Sequence, residues 1–243
     1  MAAHEPPQAS APGGRPEAPS SGGSGSGSEP PRPVVQLPRY GRYVGVLAIA
    51  ILIGITINTI STKPNGGSGV ATGAQLPPFA APLALGNLSG DTNIATHADQ
   101  GAAGSVPACT VRGPQVLNIC QLYERAPVVL ALFVDSGSCT DVLSDMQALT
   151  REFPHVAFAA VAIKGGTAGV REQIRNRGLT FPVGLDRDGA LAALYKVASC
   201  PQLTFAEPGG TVQGHAILDR PSRAELRARV KELVAESASG TGG

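Results

Sequence analysis

Four cysteines, Cys109, Cys120, Cys139 and Cys200, are the residues of this 243-residue chain best suited to chemistry. A thiolate is a nucleophile, and two thiols can share a bond, so these residue types point to thiol-disulfide exchange or to structural cross-links. Cys139 lies in the loop Asp135-Ser136-Gly137-Ser138-Cys139-Thr140-Asp141, where the apolar run Val128 to Val134 gives way to a helical pattern. A sulfur in that place faces the positive end of a helix, which stabilises thiolate. Asp141, in the same first turn, acts in the opposite sense, and the residues alone leave the balance open. Cys200 directly precedes Pro201 in the segment VASCPQLTF. Cys109 and Cys120 flank TVRGPQVLNI, whose Gly113-Pro114 is a turn signal; two short extended arms joined there bring the two cysteines close. A structural disulfide across so short a loop stabilises by about 3 kcal/mol in the entropy model. Four cysteines permit three pairings.

Other chemistries lack their residues. His4, His97, His155 and His215 are scattered with no two at a ligand spacing, so no metal or haem site is expected. The Gly165-Gly166 and Gly209-Gly210 pairs read as turns rather than as a phosphate-binding loop. A net charge of +1, from 19 basic and 18 acidic side chains, gives no footprint for a phosphate backbone, and 4% aromatic residues offer few stacking platforms. Nucleic acid is excluded as a partner on these grounds, and no cofactor is implied.

The elements that must position the cysteines follow from hydrophobic patterning. Val128 to Val134 and Val156 to Ile163 are continuous apolar runs, the pattern of strands buried on both faces. Between them Val142, Met146, Leu149 and Phe153 form one stripe of an amphipathic helix closed by Pro154. Strand, helix and strand make a right-handed βαβ unit. A second amphipathic stretch turns Val170 and Ile174 inward and Arg171, Glu172, Arg175 and Arg177 outward, ending at Gly178. After the segment Phe181 to Leu185 and a brief helix through Leu191 and Leu194, residues 202–206 and 212–218 read as an antiparallel hairpin across EPGG. Ser222 and Glu225 form a capping box for a last helix carrying Leu226, Val230 and Leu233. The expected class is α/β, a central mixed sheet in the order βαβ, helix, ββα, with helices on both faces.

Upstream, composition predicts topology. Residues 1–38 contain 9 Pro, 6 Gly and 6 Ser without a periodic apolar pattern, too little apolar surface to offset the entropy of ordering. Residues 43–60 carry no charge, against the roughly 20 apolar residues that cross a bilayer as a helix. Arg39 and Arg42 precede this stretch and Lys63 alone follows, a bias that places the N-terminus in the cytoplasm. No small-x-small site follows Ile60 cleanly, which favours an uncleaved signal anchor over a signal peptide. The expected layout is a disordered cytoplasmic tail (1–42), a transmembrane helix in the lipid bilayer (43–60), a flexible linker (61–75), an extracytoplasmic domain (76–236) and a disordered C-terminus (237–243). All four cysteines then lie on the oxidising side of the cell membrane, where disulfides persist.

The LPPF near the domain start, the strand VVLALFV running into a cysteine-bearing loop, the segment YKVASCPQLTF and the turn PGG together resemble the membrane-anchored thioredoxin-like proteins of the TlpA and peroxiredoxin (redoxin) type. The resemblance implies a thioredoxin-like fold, a cis peptide at Pro201 that packs beside the active-site cysteine and meets substrate, and exchange with protein thiols, disulfides or a redox partner protein. The family's Cys-x-x-Cys motif is absent, and only Cys139 stands in that loop. Because the residue before the cis-proline lies against the active-site loop in this family, the resemblance implies that Cys139 and Cys200 form a split catalytic pair, with Cys139 attacking and Cys200 resolving. Two alternatives accompany it. One is a redox-inactive binding or scaffold domain whose disulfides are all structural. The other is a thiol peroxidase, suggested by Ser136 three residues before Cys139, although the family's upstream proline is missing.

Overall fold

The computed structural model describes residues 69–164, 166–214 and 216–240, together with helical residues 43, 45–49 and 51. The expected tail and most of the expected span therefore lie outside the described residues. Among the described residues, no helix is long and apolar enough to cross a membrane.

The sheet that carries the cysteine loop has four strands. The first two strands among the described residues, β1 (Ala80–Pro82) and β2 (Val116–Asn118), pair with each other in a separate antiparallel ribbon. In the main sheet β3 (Val128–Val134) and β4 (Ala157–Lys164) are parallel, β5 (Val183–Leu185) joins β4 in parallel, and β6 (Gln202–Ala206) runs antiparallel to β3. The order β5-β4-β3-β6 makes β3 a central strand, and its first six residues are buried. Continuous Val, Leu and Phe suit such a strand because both of its faces meet apolar layers.

Those layers are distinct. Val129, Ala131 and Phe133 of β3 face a cluster completed by Val142, Met146 and Leu149, by Val170 and Ile174, and by Leu226, Val230 and Leu233. These come from α2 (Asp141–Glu152), α3 (Thr167–Arg177) and α5 (Arg223–Gly240). Val128, Leu130 and Leu132 face a second cluster containing Leu76, Phe79, Cys120, Leu191 and Tyr195, with α1 (Ile119–Tyr123) and α4 (Ala190–Leu194). The helix α3 ends at Gly178, which takes the left-handed conformation (φ 59°) and donates its N–H to the Arg175 carbonyl.

Four expectations are corrected. The second arm of the hairpin after β6 is not a strand but two isolated bridges, Ala206 to Val212 and Leu203 to Ile217. Gly214, at φ 62°, bends the returning chain so that it takes more residues than β6 to cover the same distance. Residues 69–75, expected within the linker, are bonded to the domain: Gly69 N–H donates to the Lys196 carbonyl (3.1 Å), Gly73 N–H to that of Val212 (2.8 Å), and Gln75 bridges Thr211. The C-terminal residues 237–240, expected to be disordered, continue α5. Finally, Cys109 and Cys120 do not sit on two extended arms: Cys109 lies in the 3-10 turn Ala108–Thr110 and Cys120 in α1. Asn118 is the reason. Its amide donates to the carbonyls of Ala108 (2.9 Å) and Val111 (2.7 Å) while its oxygen caps α1 at Gln121 N–H (3.2 Å). A side chain thus does what a backbone ladder would do in a hairpin.

At α5 the capping box is reciprocal, with Ser222 N–H donating to Glu225 Oε2 (2.7 Å) and Glu225 N–H to Ser222 Oγ (3.2 Å). Ser222→Ala is expected to lower stability by about 1 kcal/mol, read as a fall of a few degrees in the melting temperature with the thiol chemistry unchanged.

Candidate active site

The site forms where β3 ends. Beyond Val134 the chain turns through a single 3-10 turn, Gly137–Thr140, whose N-terminal Ser136 is extended, and passes without a break into α2. Cys139 is in that turn, with its N–H donated to the Ser136 carbonyl (3.2 Å), and is half-buried. Gly137 at φ 48° supplies the one left-handed residue that the sharp entry needs. Cys200 arrives two residues before β6, and the Cys200-Pro201 peptide is cis. Cys139 and Cys200 are joined by a disulfide with their Cα atoms 5.3 Å apart. Val134 N–H, the last of the central strand, points at Cys200 Sγ (3.1 Å).

Two side chains that the pattern reading did not single out hold the segment before Pro201. Tyr195, fully buried, donates its hydroxyl to the Pro77 carbonyl (2.7 Å), and burial pushes its pKa well above the usual phenol range. Gln202, also fully buried, donates its amide to the Tyr195 carbonyl (3.0 Å). A glutamine directly after a Cys-Pro step, at the head of the buried strand QLTFA, is the available signal.

Around Cys139 the charges are organised. Asp141 Oδ2 accepts from Arg220 (2.9 Å) and Oδ1 lies 3.4 Å from Arg177. Arg177 also donates to Thr140 Oγ1 (2.8 Å) and to Ser144 Oγ (2.7 Å). One turn further along α2, Asp145 accepts from Arg223 (2.8 Å) and meets Arg220 at 4.0 Å. Periodicity turns Arg177 outward; it does leave the core, but its guanidinium reaches the start of α2. Three arginines against two aspartates leave the positive end of α2 without a net negative charge to oppose a thiolate.

The other two cysteines are also bonded to each other, with Cα atoms 5.4 Å apart. Cys120 is fully buried and Cys109 half-buried, its sulfur 3.8 Å from the Tyr123 hydroxyl. Among the described residues no group of His, Cys, Asp and Glu could hold a metal ion.

Comparison with known proteins agrees with this geometry at the level of fold. No family model matches the chain. The thiol-disulfide oxidoreductase ResA of Oceanobacillus iheyensis is 35% identical over 88 residues, which cover 34% of this chain and 46% of that protein. The chain thus matches less than half the length of that curated relative. Among solved structures, a Chlorobium tepidum protein assigned as thiol:disulfide interchange protein DsbE superposes with a TM-score of 0.51 at 16% identity, over 68% of this chain and 98% of that one. A Bacteroides thetaiotaomicron protein assigned as a protein disulfide isomerase gives 0.51 at 16% identity, over 72% and 98%. The fold is α/β and thioredoxin-like, built on a mixed four-stranded sheet.

Proposed function

We propose that this chain is a thiol-disulfide oxidoreductase working through the split pair Cys139 and Cys200, tethered to the cell membrane by residues 43–60 with the domain that carries the cysteines on the extracytoplasmic side. The observation that carries the reading is the meeting of the two cysteines at the end of β3, one at a helix start and the other beside a cis-proline. Partial identity to a thiol-disulfide oxidoreductase supports it.

In the reducing direction the Cys139 thiolate attacks one sulfur of a partner disulfide, forming a mixed disulfide and releasing one partner thiolate. Cys200 thiolate then attacks Cys139 Sγ, closing the 139–200 bond and releasing the second partner thiolate. Two electrons pass to the partner, and no organic cofactor or metal is needed. The oxidising direction is the same path reversed. Pro201 stands beside Cys200, where the family resemblance puts contact with an extended partner segment.

The competing reading is a binding domain with inert disulfides, and the two separate in a redox titration with thiol alkylation and mass mapping of the full chain. The 139–200 bond, half-buried at the rim, is expected to reduce between about −120 and −270 mV, the range of known oxidoreductases. The 109–120 bond, with one sulfur fully buried, is expected to stay oxidised below about −300 mV as a structural cross-link. Should the 139–200 bond also resist reduction to that point, the oxidoreductase reading is lost.

A further inference from the structure

Asp141 is the feature of the site that its chemistry does not explain. A carboxylate two residues after a nucleophilic cysteine, in the first turn of the same helix, opposes the thiolate that the helix end favours. Here neither of its oxygens is left as a free charge. Oδ2 is taken by Arg220 at 2.9 Å and Oδ1 faces Arg177 at 3.4 Å. The two arginines come from separate parts of the fold, Arg177 from the last turn of α3 and Arg220 from the segment before α5.

Arg177 does more than neutralise. Its guanidinium donates to Thr140 Oγ1, the side chain next to Cys139, and to Ser144 Oγ, while its Nε is held by Gln173 Oε1 (3.1 Å). Thr140 Oγ1 in turn donates to the Gly137 carbonyl (3.2 Å), closing the 3-10 turn around Cys139. The cysteine is therefore held on both sides by contacts that do not involve its own disulfide. We propose that Arg177 and Arg220 are positioning residues for Cys139: together they cancel the charge of Asp141 and fix the turn, so that the free thiol is held as a thiolate within reach of Cys200 once the bond is reduced. This rests on the oxidoreductase reading above.

Other charged groups near the turn are accounted for. Asp145 on α2 is paired with Arg223 and met by Arg220, and the carboxylate of Asp135, at the end of β3, is packed against Gly169 of α3. Asp219, beside Arg220, is exposed.

The test follows Cys139 alone. In full-length protein carrying Cys200→Ser, with the 109–120 bond intact, the rate of iodoacetamide alkylation at Cys139 is measured against pH. Arg220→Gln and Arg177→Gln are each expected to raise the alkylation midpoint by about one unit, a roughly tenfold loss of thiolate below the midpoint. Asp141→Asn is expected to lower it, and Asp141→Asn combined with Arg220→Gln to remove most of the Arg220 effect. Arg177→Lys, which keeps the charge and loses the fork, should fall between parent and Arg177→Gln. A role confined to packing changes the melting temperature and leaves these midpoints alone, so midpoints equal to the parent's overturn the proposal. Asp141→Asn guards against misfolding, since a damaged fold does not lower the midpoint in one variant and raise it in another. Exchange with glutathione disulfide, measured in parallel with Cys200 present, tests the oxidoreductase reading separately: exchange with unmoved midpoints removes the arginine clamp alone, and shifted midpoints without exchange remove the oxidoreductase reading alone.

Discussion

Cys200→Ser is expected to trap a stable mixed disulfide on Cys139, and Cys139→Ser to trap none, with turnover falling more than about a hundredfold in both because each removes an obligatory nucleophile. The asymmetry follows from where the sulfurs lie. Cys139 sits in a single 3-10 turn that leads into α2, so the helix end acts on its thiolate and its loop neighbours Ser136, Gly137 and Ser138 are exposed. Cys200 is packed against the apolar cluster under β3 and faces Val134 N–H at 3.1 Å. On the proposed reading Cys139, on the loop whose neighbours are exposed, is the sulfur expected to meet a macromolecular partner first, and Cys200 the one expected to resolve the adduct. The experiment incubates each reduced variant with a disulfide-bonded protein and resolves adducts by non-reducing electrophoresis and mass spectrometry. An adduct on Cys200 in the Cys139→Ser protein reverses the roles, and no adduct in either variant leaves the 139–200 bond as a structural tie.

Most of the scaffold of this site is written in local pattern. Val128 to Val134 has too many consecutive apolar residues for a strand exposed on either face, and it is one of the two interior strands of the sheet. The stripe Val142, Met146, Leu149 marks α2 with the bounds that Asp141 and Phe153 give it. What the pattern could not show is what long side chains reach. Periodicity says that Arg177 points away from the core, but its distance to Thr140 and Asp141 depends on how α3 lies beside α2, a tertiary fact. The meeting of Cys139 with Cys200 is of the same kind: 61 positions separate them, and only the family resemblance suggested it. Composition misled at residues 69–75. Their glycines look like a linker, yet Gly69 and Gly73 take φ of 90° and 78° in turns that bond to the domain. Asn118 defeated the hairpin reading around Cys109 and Cys120 because side-chain bonds to carbonyls have no period to detect.

Asp186→Asn is expected to make the protein more stable at pH 7 and to leave it unchanged near pH 4. Asp186 follows β5 and is only 2% exposed. Its Oδ2 accepts from Leu191 N–H (3.1 Å) and Ala192 N–H (3.3 Å) at the start of α4, but its Oδ1 has no hydrogen-bond partner among the described residues. Burial pushes its pKa up to about 6 from 3.8; the two backbone N–H groups oppose the rise and Asp188 adds to it. The folded state therefore holds this proton through a range where the unfolded chain has released it. Stability from this group is present in full below about pH 4 and is lost as pH rises to about 6, which amounts to about 3 kcal/mol for a shift of roughly two units. Asparagine keeps an acceptor for Leu191 and Ala192 and carries no charge, so it removes the penalty without removing the cap. Urea unfolding of both proteins at half-unit steps from pH 4 to 7 reads the difference directly, because every other titrating group is common to the pair. A gap of about 1 to 3 kcal/mol at pH 7 that closes by pH 4 is the expected outcome. A gap independent of pH would show instead that Asp186 titrates alike in the folded and unfolded chains, or that the asparagine acts through packing. The effect bears on the site because α4 leads through Tyr195 to Cys200: the carboxylate that caps α4 is at the root of the segment that presents the second cysteine.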